Sequence, residues 1–76
     1  MVKVYSQEFC PDCDSLKNIL KEKGIEYEEY DVNKDFTARA TMLLNDVDTT
    51  PALIIENEMI SGSIEDITSK LYNKIL

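Results

Sequence analysis

The chain has 76 residues, enough for one small domain spanning 1–76 whose core alone gives modest stability. Fifteen acidic against eight basic residues leave a net charge of -7, which argues against nucleic acid and anionic membrane as partners. No apolar run approaches the roughly 20 residues that cross a bilayer, and the lack of histidine removes imidazole as a general base.

Met1-Val2-Lys3 leads straight into a β-prone run, Val2 to Ser6, which reads as a first strand and leaves no room for a cleavable signal, so a cytoplasmic location is expected. A helix follows with clear punctuation. Pro11 opens it, Asp12 and Asp14 sit in its first turn, Leu16, Ile19 and Leu20 form an apolar stripe, and Lys21, Lys23 and Gly24 close it. Ile25 to Val32 reads as a second strand, with Glu28-Glu29 interrupting its alternation. A strand-helix-strand unit of this length implies a right-handed crossover and a parallel pair.

Asp35 is placed to cap a second helix, with Phe36, Ala40, Leu43 and Leu44 as its expected core stripe. Ala52 to Ile55 is a continuous apolar run suited to a strand covered on both faces, and Asn57-Glu58 is expected to turn it into a short partner, Met59 to Ser61. Ser63 and Asp66 have capping-box spacing ahead of the stripe Ile64, Ile67, Leu71, and this last helix runs to about Ile75. The order is βαβαββα. It predicts an α/β domain of three layers, a four-stranded mixed sheet with helices on both faces.

The chemistry is concentrated in Cys10-Pro11-Asp12-Cys13, which holds the only two cysteines of the chain. Two sulfurs at this spacing, beside a strand-helix junction, read as a dithiol that cycles between reduced and disulfide forms. A bond between them closes too short a loop to be worth much as a staple, which favours a working disulfide over a structural one. Pro11 suits the first helical turn and leaves Cys10 at the N-cap, where the helix dipole favours a thiolate. Cys10 is therefore expected to attack and Cys13 to resolve the mixed disulfide. Phe9 is read either as an apolar rim for substrate or as core, Tyr5, Tyr27 and Tyr30 as packed, and Lys17 as solvated.

With Cys-Pro-Asp-Cys at the first strand-helix junction, Thr49-Thr50-Pro51 before the third strand and Ser61-Gly62-Ser63 before the last helix, the chain resembles the glutaredoxins from end to end. The resemblance implies a thioredoxin-like fold and a monomeric thiol-disulfide oxidoreductase that binds no cofactor or metal. It implies disulfide-containing protein substrates, with glutathione as co-substrate and reductant. Pro51 is then expected in cis facing the dithiol, with the Thr50 backbone receiving substrate. The substrate-binding positions are Pro11, Asp12, Thr50, Pro51, Gly62 and Ser63, the last two offering N-H groups to a carboxylate. Gln7, Asp12 and Val47-Asp48 depart from the family pattern of Lys or Arg, Tyr, and Gln-Arg, so glutathione should bind more weakly; saturation at low glutathione would instead require other cations, Lys34 or Arg39. The Ser-Gly ending also resembles the glutaredoxin-like redoxins that feed ribonucleotide reductase and are recharged by thioredoxin reductase. A third reading is an iron-sulfur or metal module across a dimer. Against it, two cysteines without histidine do not complete a tetrahedral site, and the monothiol Cys-Gly-Phe-Ser pattern is absent.

Overall fold

The computed structural model describes residues 2–75, so Met1, named in the expected lead into the first strand, lies outside the described residues. The elements are β1 (Val2–Ser6), α1 (Pro11–Glu22), β2 (Tyr27–Asp31), α2 (Phe36–Leu44), β3 (Ala52–Ile55), β4 (Glu58–Ile60) and α3 (Ile64–Ile75), the order expected from the sequence. The strands lie in the order β2-β1-β3-β4. β1 runs parallel to β2, from Val2 opposite Tyr27 to Ser6 opposite Asp31, while β1–β3 and β3–β4 are antiparallel.

Alternation along β1 divides the core. Val2 and Val4 face one side and join Leu16 and Leu20 of α1, Leu53 and Ile55 of β3, and Ile67 and Leu71 of α3. Tyr5 faces the other, with Val32, Ala38, Met42, Val47 and Ala52. Helices α1 and α3 thus cover one face and α2 covers the other. The expected packing of the tyrosines is seen in Tyr5, which is buried and stacked on Tyr30 with ring centroids 5.6 Å apart.

Helix α1 ends as its sequence suggests. Gly24, at φ 69, lets its own N-H reach the Lys21 carbonyl at 3.1 Å and the Ile25 N-H reach that of Leu20 at 2.9 Å, and Ile25 packs beside Leu20 in the core. The same pattern closes α2, with Asp46 at φ 58 in place of glycine and Val47 bonded back to Met42 at 2.9 Å. Asp35 caps its start, accepting from the Ala38 N-H at 3.0 Å.

These two anchors settle the face of α2, and it is not the expected one. Ala38 and Met42 point inward, whereas Phe36 is 90% exposed, Leu44 85% and Leu43 59%, with Ala40 exposed beside them. The helix is apolar nearly all round, so periodicity alone did not fix its phase. Val47, which follows the helix, did, by packing on Met42.

Three smaller corrections have physical causes. β2 is shorter than Ile25 to Val32, because Ile25 is used to close α1. The hairpin turns at Glu56-Asn57, with φ 52 and 65, rather than at Asn57-Glu58, so Glu58 pairs with Ile55 and β4 starts one residue early. Lys17 is only partly solvated, with 23% of its side chain exposed, because its ammonium is held 2.9 Å from Glu29 of β2 and 3.6 Å from Asp14. Ser6 donates to the same Glu29 oxygen at 2.8 Å.

Both central hairpin residues are left-handed, a conformation that Asn-Gly adopts with little strain, so Glu56→Asn with Asn57→Gly should stabilise the fold by about 1 kcal/mol in urea unfolding. Hydrogen bonds from Lys17 and then Ser6 hold the Glu29 carboxyl below its ordinary value of 4.5, despite some burial. Its folded pKa is depressed, so its contribution is full above the unfolded value and is lost as pH falls through the folded one. The pair is partly exposed and screened, so Glu29→Gln should cost only about 0.3 to 1 kcal/mol at pH 7. Unfolding at pH 7 and below pH 4 should show that gap closing in acid; a gap independent of pH would refute the electrostatic account.

Candidate active site

The parallel β1–β2 pair brings its two following loops to one edge of the sheet, and the dithiol stands there at the start of α1. Cys10 is the N-cap, in extended backbone at φ -121, and its sulfur accepts the Cys13 N-H at 3.2 Å. Pro11 occupies the first helical position, whose missing N-H has no partner to lose. Cys10 and Cys13 are joined by a disulfide, with Cα atoms 5.2 Å apart. Cys10 is partly exposed and Cys13 is 1% exposed, one turn inward under α1.

Across the sheet, the pairing of Tyr5 with Ala52 brings the residues before β3 to the same edge. The Thr50–Pro51 bond is cis and Pro51 is buried. The Thr50 hydroxyl donates to the Cys10 sulfur at 3.7 Å, a contact in addition to the backbone role expected of Thr50. The Cys10 sulfur is thus the meeting point of two donors, one from its own helix and one from 40 residues away.

The other expected site residues are placed less directly. Asp12 is exposed in the first turn of α1, and Asp14 is drawn toward Lys17. Gly62 has φ 117, a backbone that a side chain rarely adopts, and an added Cβ would stand 3.4 Å from an Asp66 carboxylate oxygen. The Ser63 hydroxyl accepts the Asp66 N-H at 3.1 Å, capping α3 as its sequence implies. Among the described residues, the N-H groups of Gly62 and Ser63 donate no hydrogen bond within the protein. Neither residue touches the dithiol through a hydrogen bond.

A groove of about 260 Å³ opens beside Thr50, lined among others by Gln7, Asn33, Arg39, Leu43 and Asp48. Two candidate cations differ sharply here. Lys34 is engaged by Glu8 at 3.2 Å and Asp31 at 4.0 Å, whereas Arg39 forms no ion pair among the described residues and lines the groove. Gln7 is tied to Asn33 at 3.3 Å. Phe9 is 98% exposed and has φ 58, which for a bulky residue costs on the order of 1 to 3 kcal/mol. It is therefore not core.

Comparison with known proteins agrees with this geometry. Residues 2–60 match the glutaredoxin family. A probable glutaredoxin of Synechocystis sp. is 32% identical over 63 residues, covering 80% of this chain and 72% of its own. An uncharacterized glutaredoxin-like 8.6 kDa protein of the rubredoxin operon in Clostridium pasteurianum is 32% identical over 75 residues, covering 97% of this chain and all of its own. The crystal structure of the thioredoxin-like protein BC3987 superposes with a TM-score of 0.85 at 36% identity, covering 96% of this chain and 97% of that one. The glutaredoxin-like NrdH-redoxin of Escherichia coli, whose structure is described as the basis of a thioredoxin-like activity profile, shares the fold, with a TM-score of 0.77 at 19% identity over 90% of this chain and 91% of its own. With the Cys-x-x-C disulfide at a helix N-terminus, the cis Thr50–Pro51 bond and the four-stranded mixed sheet, this chain belongs to the glutaredoxin family.

Proposed function

We propose that the chain is a thiol-disulfide oxidoreductase that reduces protein disulfides or glutathione mixed disulfides through Cys10 and Cys13. The observation that carries this reading is Cys10 itself, a partly exposed residue at a helix N-cap whose sulfur has the Cys13 N-H at 3.2 Å and the Thr50 hydroxyl at 3.7 Å. Both donors favour a thiolate over a thiol once the disulfide opens.

The exchange balances as two displacements. The Cys10 thiolate attacks one sulfur of the substrate disulfide, forms a Cys10 mixed disulfide and expels the other sulfur as a thiolate. Cys13, deprotonated in its turn, attacks the Cys10 sulfur and releases the second substrate thiolate, leaving the Cys10–Cys13 disulfide of this structure. Two electrons pass to the substrate. Two glutathione thiolates restore the dithiol in the reverse sense and leave as glutathione disulfide.

The groove beside Thr50 supports glutathione as the co-substrate. Arg39 supplies a cation for one carboxylate, in place of the Lys or Arg that Gln7 displaces, and the free N-H groups of Gly62 and Ser63 suit the other. Asp48 on the same groove opposes an anionic tripeptide. A weak but working glutathione site is the expected balance.

A second reading is a redoxin recharged by thioredoxin reductase, serving as electron donor to ribonucleotide reductase. It is favoured by the end-to-end match to a thioredoxin-like protein of the same length and by the likeness to NrdH-redoxin. In either reading a cytoplasmic monomer acting on protein partners is proposed; among the described residues no helix is long and apolar enough to cross a membrane.

Cys13→Ser should trap a mixed disulfide with substrate, detectable by mass spectrometry, while Cys10→Ser should abolish disulfide reduction. Substantial turnover by the latter would overturn the assignment of Cys10 as the attacking sulfur. Turnover of the unaltered protein with glutathione plus its reductase, set against thioredoxin reductase, separates the two reductants.

Thr50→Val keeps the shape and removes the hydroxyl. Loss of a bond to a charged group, worth about 1.5 kcal/mol at the lower end, should slow alkylation of reduced Cys10 at neutral pH by about tenfold. An unchanged alkylation rate would show that the hydroxyl does not act on the thiolate.

A further inference from the structure

The loops after β1 and β2 are stitched together at the dithiol end. Asn33 donates to Gln7 at 3.3 Å, and Lys34 reaches Glu8 at 3.2 Å. Two aromatic side chains stand immediately beyond these ties, Phe9 next to Cys10 and Phe36 at the start of α2, exposed by 98% and 90%. Phe36 and Arg39 line a second hollow that shares Val32, Asn33 and Arg39 with the groove beside Thr50, so the surface is continuous from Phe36 to Thr50, whose hydroxyl reaches the Cys10 sulfur.

Phe9 combines full exposure with a left-handed backbone, and neither property serves the fold. An asparagine would accept the same φ with less strain, and a polar side chain would leave no apolar ring in water. The charge pattern points the same way. In a chain of net charge -7, Phe36–Leu44 contains no acidic residue and presents Arg39 between Phe36 and Leu43.

Resting on the redox reading above, we propose that Phe9 and the outer face of α2 at Phe36 form a docking surface for the protein substrate. The occupant is an extended polypeptide that delivers its disulfide sulfur to Cys10, with apolar residues flanking the cysteine and a carboxylate within reach of Arg39. One ring stands on the loop after β1 and the other at the start of α2, directly after the loop that is tied to it. Burial of a ring supplies affinity that does not depend on glutathione, and the cation on an otherwise acidic chain selects the sign of the partner.

The test uses two peptide disulfides that differ only beside the cysteine, Leu and Asp in one and Ser in both positions in the other, each joined to a small thiol. The unaltered protein should reduce the Leu/Asp peptide with a kcat/KM at least tenfold above the Ser peptide. Phe9→Asn and Phe36→Ser should each bring that ratio to within about twofold of unity and leave reduction of bis(2-hydroxyethyl) disulfide unchanged. Phe9→Asn should also melt at the same or a higher temperature, because it relieves strain. No preference in the unaltered protein, or a preference that survives both substitutions, overturns the docking surface. Failure to reduce even the small disulfide would instead refute the redox reading. A concentration-dependent dimer abolished by Phe36→Ser would assign the face to a second copy of the chain and likewise overturn the proposal.

Discussion

The antiparallel pairing of β1 with β3 is the constraint on which the site depends. Tyr5 opposite Ala52 sets the register, and a strand register cannot slip by one residue without turning every side chain to the other face. Here that slip would expel Val4 and Leu53 from one core layer and Tyr5 and Ala52 from the other. Held in place from both sides, the end of β1 and the start of β3 lie at one edge of the sheet. Cys10 follows β1 and Thr50 precedes β3, so the 3.7 Å contact between them is a consequence of packing far from the chemistry.

The helix that carries the dithiol is held from a second direction. Its inner stripe, Leu16 and Leu20, lies on β1 and β3, and its flank is tied to edge strand β2 through Lys17 and Glu29. Ser6, the last residue of β1, shares the same carboxylate oxygen. The three groups connect the end of β1, the edge strand and the turn after Cys13. A small chain has few buried contacts to spare for fixing one helix end, and a half-shielded ion pair with a hydroxyl partner adds direction where apolar burial adds only strength.

Sequence patterns were legible where local chemistry and packing agree. β1, the punctuated α1, the capped α3 and the apolar β3 each carry redundant signals, and the element order followed from them. The dithiol was legible because its spacing is local. The face of α2 was not, since a helix with apolar residues on several sides takes its phase from what it meets, here Val47 packing on Met42. The Lys17–Glu29 pair and the Thr50 hydroxyl on Cys10 were hidden for a related reason: they join residues 12 and 40 positions apart. The hairpin slipped by one residue because Glu56 is a poor advertisement for a left-handed turn position, and Asn57 alone suited either register.

The question of which cation answers an anionic co-substrate turns on competition within the protein. Lys34 sits on the loop tied to the one that leads into the dithiol, yet two carboxylates already hold its ammonium. Drawing it to a ligand would trade existing contacts for new ones with little net gain. Arg39 has no such partner among the described residues, and its planar guanidinium can grip a carboxylate through two hydrogen bonds. On the proposed function, Arg39, which forms no ion pair among the described residues, is therefore the cation that answers a carboxylate in the groove beside Thr50, where Gln7 stands in place of the family's Lys or Arg.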